Sequence, residues 1–180
     1  MSIYYLDRPD FAPIVLNYPG RPIYSGNALA LEAVADWTVI DPGATEALLT
    51  IYGTGRLSGA ILGYGGSFDW SRMASVKTQL YLDGALKAEW TLQDFEVYIA
   101  LNLFNKAYNS GANGWYYPDV LHPIISPIGG LWNATNKAFE EYYAYLNVNI
   151  EFVESMEIRI KNELTDTITA RIRAIAGYYP

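Results

Sequence analysis

The side chains that could do chemistry are few and scattered along the chain. His122 in DVLHPII is the only histidine, and there is no cysteine, so an imidazole-based triad or a zinc site would depend on this one residue. Glu140 and Glu141 are adjacent, and adjacent residues of a strand point to opposite faces, so they cannot share a proton or a substrate. The sequence therefore predicts no catalytic residues, no metal site, no cofactor and no enzymatic activity.

Two glycine-rich stretches and one sequon match parts of functional motifs. GTGRLSG and GYGG lack the Lys-Ser or Lys-Thr pair and the following helix of a phosphate-binding loop, so we interpret their glycines as turn and bulge residues. Asn133 begins NAT, a glycosylation pattern that has meaning only in a secreted protein. The first residues, MSIYYLDRPD, have neither the basic start nor the apolar run of a signal peptide, so no export by that route is expected.

The composition indicates one soluble domain with a hydrophobic core. The chain has 180 residues, of which 51% are hydrophobic, and its net charge is −7. Proteins that bind nucleic acids neutralise phosphates with clustered Lys and Arg, so this acidic chain is predicted not to bind nucleic acid directly. Charged residues interrupt the apolar runs well short of the roughly 20 residues of a membrane span, so no such span is expected.

Aromatic residues are the most prominent candidates for a binding surface. The chain contains 16 tyrosines and five tryptophans, and a loop-rich stretch after residue 104 contains Trp115, Tyr116, Tyr117 and Trp132. Exposed rings can stack on sugar faces, or they can pack against sister subunits or cover one end of a barrel. A sugar-binding surface and a role in packing or in a subunit interface are both open alternatives. The candidate loop binding surface consists of Trp70, Trp115, Tyr116, Tyr117 and Trp132.

The first half of the chain reads as short strands separated by turns. AVADWTVID, EALLTIYGTG and RLSGAILGYGG are predicted strands, and we expect Gly63, Gly65 and Gly66 to close the third. VKTQLYLDGALKAEWTL predicts a hairpin, because Val76, Thr78, Leu80 and Leu82 share one face of its first half and Asp83-Gly84 suits a tight turn. Residues 91–104 predict one short helix, with Thr91 and Asp94 at its start and an apolar stripe along it.

The last third shows the clearest alternation. In YAYLNVNIEF, SMEIRIKN and TITARIRA, apolar residues alternate with polar ones, which predicts an antiparallel meander with one buried and one solvated side. The whole pattern predicts an all-β fold, an antiparallel β-sandwich or jelly-roll barrel with one short helix, over residues 28–180. Residues 1–27 contain four prolines and predict an extended arm, which either wraps its own domain or docks on a neighbouring subunit.

The two final strands carry four of the twelve basic residues. Because these strands are neighbours in the predicted meander, Arg159, Lys161, Arg171 and Arg173 are expected to face outward together, and acidic groups of a neighbouring subunit could then pair with them. The candidate subunit interface consists of Tyr4, Tyr5, Phe11, Arg159, Lys161, Arg171, Arg173, Tyr178 and Tyr179.

The last third, YLNVNIEFVESMEIRIKNELTDTITARIRAIAGYY, resembles the closing strands of small virion proteins, and the hairpin VKTQLYLDGALKAEWTL fits the same pattern. The chain is similar to single jelly-roll capsid proteins of icosahedral viruses that have an internal membrane and infect thermophiles. The resemblance implies a coat subunit of the virion that works without a cofactor. It would self-assemble into capsomers and contact other virion proteins and the internal membrane. The alternative is a carbohydrate- or receptor-binding β-sandwich, as in a tail or fibre protein.

Overall fold

The computed structural model describes residues 2–5, 29–97, 101–119, 125–147 and 150–179, and side chains from Ala35 to Ala176 within these ranges. The strands are β1 (Ser2–Tyr5), β2 (Leu29–Ile40), β3 (Thr45–Tyr52), β4 (Thr54–Phe68), β5 (Val76–Leu82), β6 (Ala85–Thr91), β7 (Gly114–Tyr116), β8 (Ile125–Asn133), β9 (Ala138–Leu146), β10 (Ile150–Phe152), β11 (Ser155–Asn162) and β12 (Ile168–Tyr179). The helices are α1 (Trp70–Met73), α2 (Leu92–Val97) and α3 (Asn102–Ser110). The predicted all-β antiparallel sandwich is confirmed, with three short helices where one was expected.

The strands form two sheets with the pairing of a jelly roll. Sheet A has the order β1-β2-β12-β4-β9-β8-β7, with β10 also paired to β4, and sheet B has the order β3-β11-β5-β6. The pairs β2–β12, β3–β11, β4–β9 and β5–β6 are those of one long antiparallel hairpin. Rolling that hairpin up brings β12 against β4 and β11 against β5. This is the double-sheet arrangement of a jelly roll.

The hairpin of β5 and β6 is confirmed. Asp83 and Gly84 have φ angles of 51° and 75°, the left-handed conformations that a tight two-residue turn requires. The Asp83 carboxylate accepts backbone N–H bonds from Glu154, Ser155 and Val153 at 2.7, 3.1 and 3.0 Å. These bonds hold the pKa of Asp83 below its usual value and tie the turn to the start of β11.

The predicted terminal meander is wrong, although the core-facing residues predicted for its last two strands are correct. Strand β11 lies in sheet B, whereas β9 and β12 lie in sheet A. The alternation of apolar and polar residues decides which side of a strand faces the core, but both sheets offer a core side. The predicted core positions of the last two strands are buried: Met156, Ile158, Ile160, Ile168, Ile172 and Ala174.

Two further predictions are wrong because glycine and proline were interpreted as turn residues. Strand β4 was expected to close at Gly63, Gly65 and Gly66, but it continues through these glycines to Phe68. The stretch predicted as a long loop contains the end of α3, then β7, then β8. Strand β8 escaped prediction because Pro127, Gly129 and Gly130 interrupt it, and these residue types usually mark turns.

The predicted helix start is confirmed, but the helix is divided. The Thr91 hydroxyl accepts the Asp94 N–H at 3.2 Å, and the Asp94 carboxylate accepts the Thr91 N–H at 2.7 Å, so the two residues cap α2 reciprocally. The described residues of helix α2 run to Val97, and α3 begins after Leu101, which has a left-handed φ of 58°. Residues 6–28, which include most of the predicted arm and Phe11, lie outside the described residues, as does His122.

Candidate functional site

The outer face of sheet A is built on glycines. The outward positions of β4 are Gly59, Ile61, Gly63 and Gly65, and they alternate with buried residues. Rings from other strands occupy the space that side chains would fill at the glycines. A Cβ placed on Gly63 would lie 2.8 Å from the Tyr143 ring, and one on Gly59 would lie 3.1 Å from the Tyr145 hydroxyl. These glycines therefore allow aromatic side chains to pack directly on the backbone of the sheet.

An arginine lies between two of these rings. The Arg171 guanidinium is 4.4 Å from the Trp37 ring centroid and 5.1 Å from that of Tyr143, and it also donates a hydrogen bond to the Tyr143 hydroxyl. The Tyr143 hydroxyl in turn donates to Glu141 at 2.8 Å, and the Trp115 ring lies 6.0 Å from that of Tyr143. Burial raises the pKa of Tyr143, and Glu141 adds to that effect. The result is one row of stacked groups that crosses the sheet.

Large apolar side chains complete this surface, which we call the aromatic face. Val39, Ile61 and Ile175 are more than 40% exposed on it, as are Trp115 and Tyr117. Exposed apolar side chains that share one face of a sheet are a feature of interaction sites. The aromatic face comprises Trp37, Val39, Ile61, Trp115, Tyr117, Tyr143, Tyr145, Arg171 and Ile175.

The outer face of sheet B has the opposite character. Its charged side chains pair with one another: Arg159 with Glu157 at 2.6 Å, and Lys161 with Glu163 at 2.6 Å. Lys77 joins the same group through Glu163 at 2.9 Å. Exposed pairs of this kind contribute little to stability, but they leave a polar surface that water solvates well.

The four terminal cations do not lie together, which corrects the sequence-based expectation. Arg159 and Lys161 project from sheet B, while Arg171 and Arg173 belong to sheet A, on the other side of the sandwich. Arg159 and Lys161 do not need acidic partners from a neighbouring subunit, because Glu157 and Glu163 of the same chain pair with them. Of the predicted interface tyrosines, Tyr4 and Tyr5 lie in β1, whereas Tyr178 and Tyr179 lie in β12. The side chains of these four tyrosines are outside the described part of the chain.

The predicted loop binding surface is only partly brought together. Trp115 and Tyr117 belong to the aromatic face, whereas Tyr116 is half-buried and donates to the Ala112 carbonyl at 2.9 Å. Trp132 is 2% exposed, so its predicted role at a surface is corrected to a role in the core.

The rings of Trp70 and Trp132 pack instead around Phe104 of α3. Their centroids lie 5.4 and 5.6 Å from that of Phe104, and Trp132 also lies 5.0 Å from Phe139. The sequence missed this cluster because β8 was not recognised as a strand, so that the inward direction of Trp132 could not be assigned.

A buried carboxyl was also missed by the sequence reasoning. Glu96 is fully buried, accepts a hydrogen bond from the Tyr142 hydroxyl at 2.9 Å and accepts the Phe104 N–H at 3.2 Å. Leu101 occupies the N-cap position of α3 and offers no capping side chain, so Glu96 caps that helix in its place. Burial raises the pKa of Glu96 to about 7. The only feature of the sequence that could have indicated a buried carboxyl was the position of this glutamate next to Phe95 of the apolar stripe.

No model of a known protein family matches the chain, and no curated protein matches its sequence. Among the described residues, no three histidine, aspartate or glutamate side chains are grouped as a metal ion would require. Within the same residues, no helix is both long and apolar enough to cross a membrane.

Proposed function

We propose that the chain is a structural protein of a virus, a coat subunit that self-assembles into the capsomers of an icosahedral shell. The observation that carries the proposal is the aromatic face, where exposed apolar side chains and packed rings cover one side of a jelly roll. Burying such a surface against another copy removes apolar area from water, which is the main driving force for association.

The contrast between the two sheets indicates how copies would be oriented. The paired charges of sheet B suit contact with solvent, whereas the aromatic face suits contact with protein. Two copies of a chain with net charge −7 repel each other at long range, so contact is favoured where apolar groups and cations lie. Arg171 is such a cation, and its stacking on Trp37 and Tyr143 holds it at the surface in a defined position.

The resemblance to single jelly-roll capsid proteins supports the same proposal, and the strand order of the fold is compatible with it. On this proposal the protein resides in the virion, its partners are further copies and other virion proteins, and it contacts the internal membrane of the particle. It would need no cofactor and carry out no catalysis.

The test compares the association of the wild-type chain with that of variants in which a charge is placed on the aromatic face. Ile61→Glu and Ile175→Glu change exposed residues, so the fold should be retained while assembly is weakened at least about tenfold. Leu86→Glu, at an exposed leucine of β6 in sheet B, is the matched control. Light scattering gives the mass of the oligomer, electron microscopy its shape, and circular dichroism the integrity of the fold.

A wild-type chain that stays monomeric at high concentration and enters no particles would refute the proposal. Assembly that Ile175→Glu leaves unchanged, or that Leu86→Glu weakens equally, would contradict the role of the aromatic face. The carbohydrate-binding alternative concerns the part of the same face next to β8 and β9, where Tyr117 and Tyr145 border a groove.

A further inference from the structure

A groove of about 340 Å³ lies at the end of the aromatic face formed by β8 and β9. Its lining residues are Tyr117, Pro118, Ser126, Ile128 and Tyr145. Small-molecule sites in proteins typically measure about 300–1,000 Å³ and combine apolar walls with a few polar groups. The groove therefore has the size of a site for one small ligand or for one unit of a chain-like ligand.

Two glycines set the positions of the tyrosines that border the groove. A Cβ on Gly129 would lie 2.9 Å from the Tyr117 ring, so this ring packs directly on the backbone of β8. Tyr145 packs in the same way with its hydroxyl over Gly59 of β4. Tyr117 is nevertheless 60% exposed, so much of its ring is available to a ligand.

A polar group without a partner lies among the residues that line the groove. Ser126 is 1% exposed, and its Oγ makes no hydrogen bond within the described part of the chain. A buried hydroxyl that loses its bonds to water and gains none is unfavourable, so such groups normally have partners. The Oγ is covered in the free protein, so a ligand with hydroxyl groups of its own could supply the missing bond once the side chains over it shift.

The charge and polarity of the lining identify the class of ligand. None of the five lining residues carries a charge, so the described part of the groove offers no counter-charge to a phosphate, a carboxylate or an amine. Pro118 and Ile128 are apolar, and the tyrosines present both ring surface and hydroxyls. A sugar ring has the complementary pattern, with C–H groups on its faces and hydroxyls around its rim.

We propose that this groove binds a neutral saccharide unit, whose C–H face packs on Tyr117 and whose hydroxyl bonds to Ser126 Oγ. An apolar segment of a second copy is the less suitable occupant, because it would leave the Ser126 hydroxyl unpaired. The inference does not rest on capsid assembly, since a coat protein and a monomeric binding module could both carry such a site.

Saturation-transfer NMR on the full chain tests the proposal with four probes: methyl β-glucoside, methyl β-galactoside, maltotriose and chitotriose. We expect transfer to the ring C–H protons of at least one of them. Tyr117→Ala should weaken binding about tenfold, since the stacking ring is lost. Ser126→Ala should weaken it about threefold to tenfold without lowering the melting temperature, because the hydroxyl contributes no bond in the free protein. Tyr52→Ala, at an exposed tyrosine of β3 in sheet B, is the control and should bind as the wild type does.

Three outcomes would overturn the proposal. The first is the absence of transfer to all four sugars. The second is binding that Tyr117→Ala and Ser126→Ala leave at the wild-type level. The third is self-association that Tyr117→Ala abolishes in a chain that binds no sugar, which would assign the groove to a second copy.

Discussion

The buried carboxyl of Glu96 predicts that the protein loses stability as the pH rises. The pKa of Glu96 is about 7 in the folded chain, against an ordinary value of 4.5. Between these two pH values the folded chain keeps a proton that the unfolded chain has released. The folded state therefore binds more protons, and the free energy of unfolding falls with increasing pH over this interval. Below about pH 4.5 the contribution is fully present, and above about pH 7 it is lost.

The size of the effect follows from the width of that interval. It spans roughly 2.5 pH units, and each unit corresponds to about 1.4 kcal/mol of unfolding free energy, which gives about 3 kcal/mol. Folded domains have only about 5–15 kcal/mol of stability in total, so the change should be easily measured. The cause is physical and local, because the carboxylate is fully buried and its partners are the neutral Tyr142 hydroxyl and Phe104 N–H.

Glu96→Gln removes the titrating group and preserves the size of the side chain. Urea unfolding at about pH 4.5 and at about pH 8 gives the unfolding free energy that each protein loses between these pH values. We expect this loss to be about 3 kcal/mol smaller in the variant than in the wild type. At the higher pH the variant should be the more stable protein, because the wild type then contains a buried charge. Glu46→Gln, at an exposed glutamate of β3, serves as the control.

An equal dependence on pH in Glu96→Gln and the wild type would refute the reasoning. So would a wild-type stability that rises between about pH 4.5 and about pH 8 while that of Glu96→Gln does not, because this would mean that the folded state favours the ionised carboxyl.

Three further predictions concern stability. Gly130→Ala should cost about 1–3 kcal/mol in urea unfolding, because the new Cβ would lie 2.6 Å from the buried Phe139 ring. Gly63→Ala should cost less, because the half-buried Tyr143 and Arg171 side chains at that site can shift more easily than a buried ring, and equal losses would contradict this. Thr91→Ala should cost about 1 kcal/mol through the lost cap of α2, and Thr91→Ser should restore most of it. Asp83→Asn should lower stability by about 1 kcal/mol at neutral pH, and the loss should shrink on acidification, because the lowered pKa of Asp83 makes its contribution disappear as the pH falls through that pKa.

The parts of the fold that could be predicted have local causes. The turn of the β5–β6 hairpin follows from Asp83-Gly84, which readily adopts left-handed conformations, and its core face follows from the alternation along VKTQLYL. The start of α2 follows from Thr91 and Asp94, which are only three residues apart. In each of these cases the residues that determine the structure lie within one short segment.

The errors have causes that lie far apart in the chain. Alternation along β11 and β12 identifies the buried side of each strand, but partners more than 70 residues away, such as Leu80 for Ile158, decide the sheet. The glycines of β4 suggested turns, whereas Gly63 lies against the ring of Tyr143, which comes eighty residues later in the sequence. The aromatic face could not be recognised for the same reason, since β2, β4, β9 and β12 all contribute to it.

Strand β12 lies between β2 and β4 and pairs with both along most of its length. During synthesis, β2 and β4 leave the ribosome long before residues 168–179 do. Until then each presents an unpaired edge and an uncovered apolar side, which are the features that promote misassembly. The order of the strands therefore leaves the nascent chain prone to misassembly until β12 is made, and contacts so distant in sequence predict slow folding.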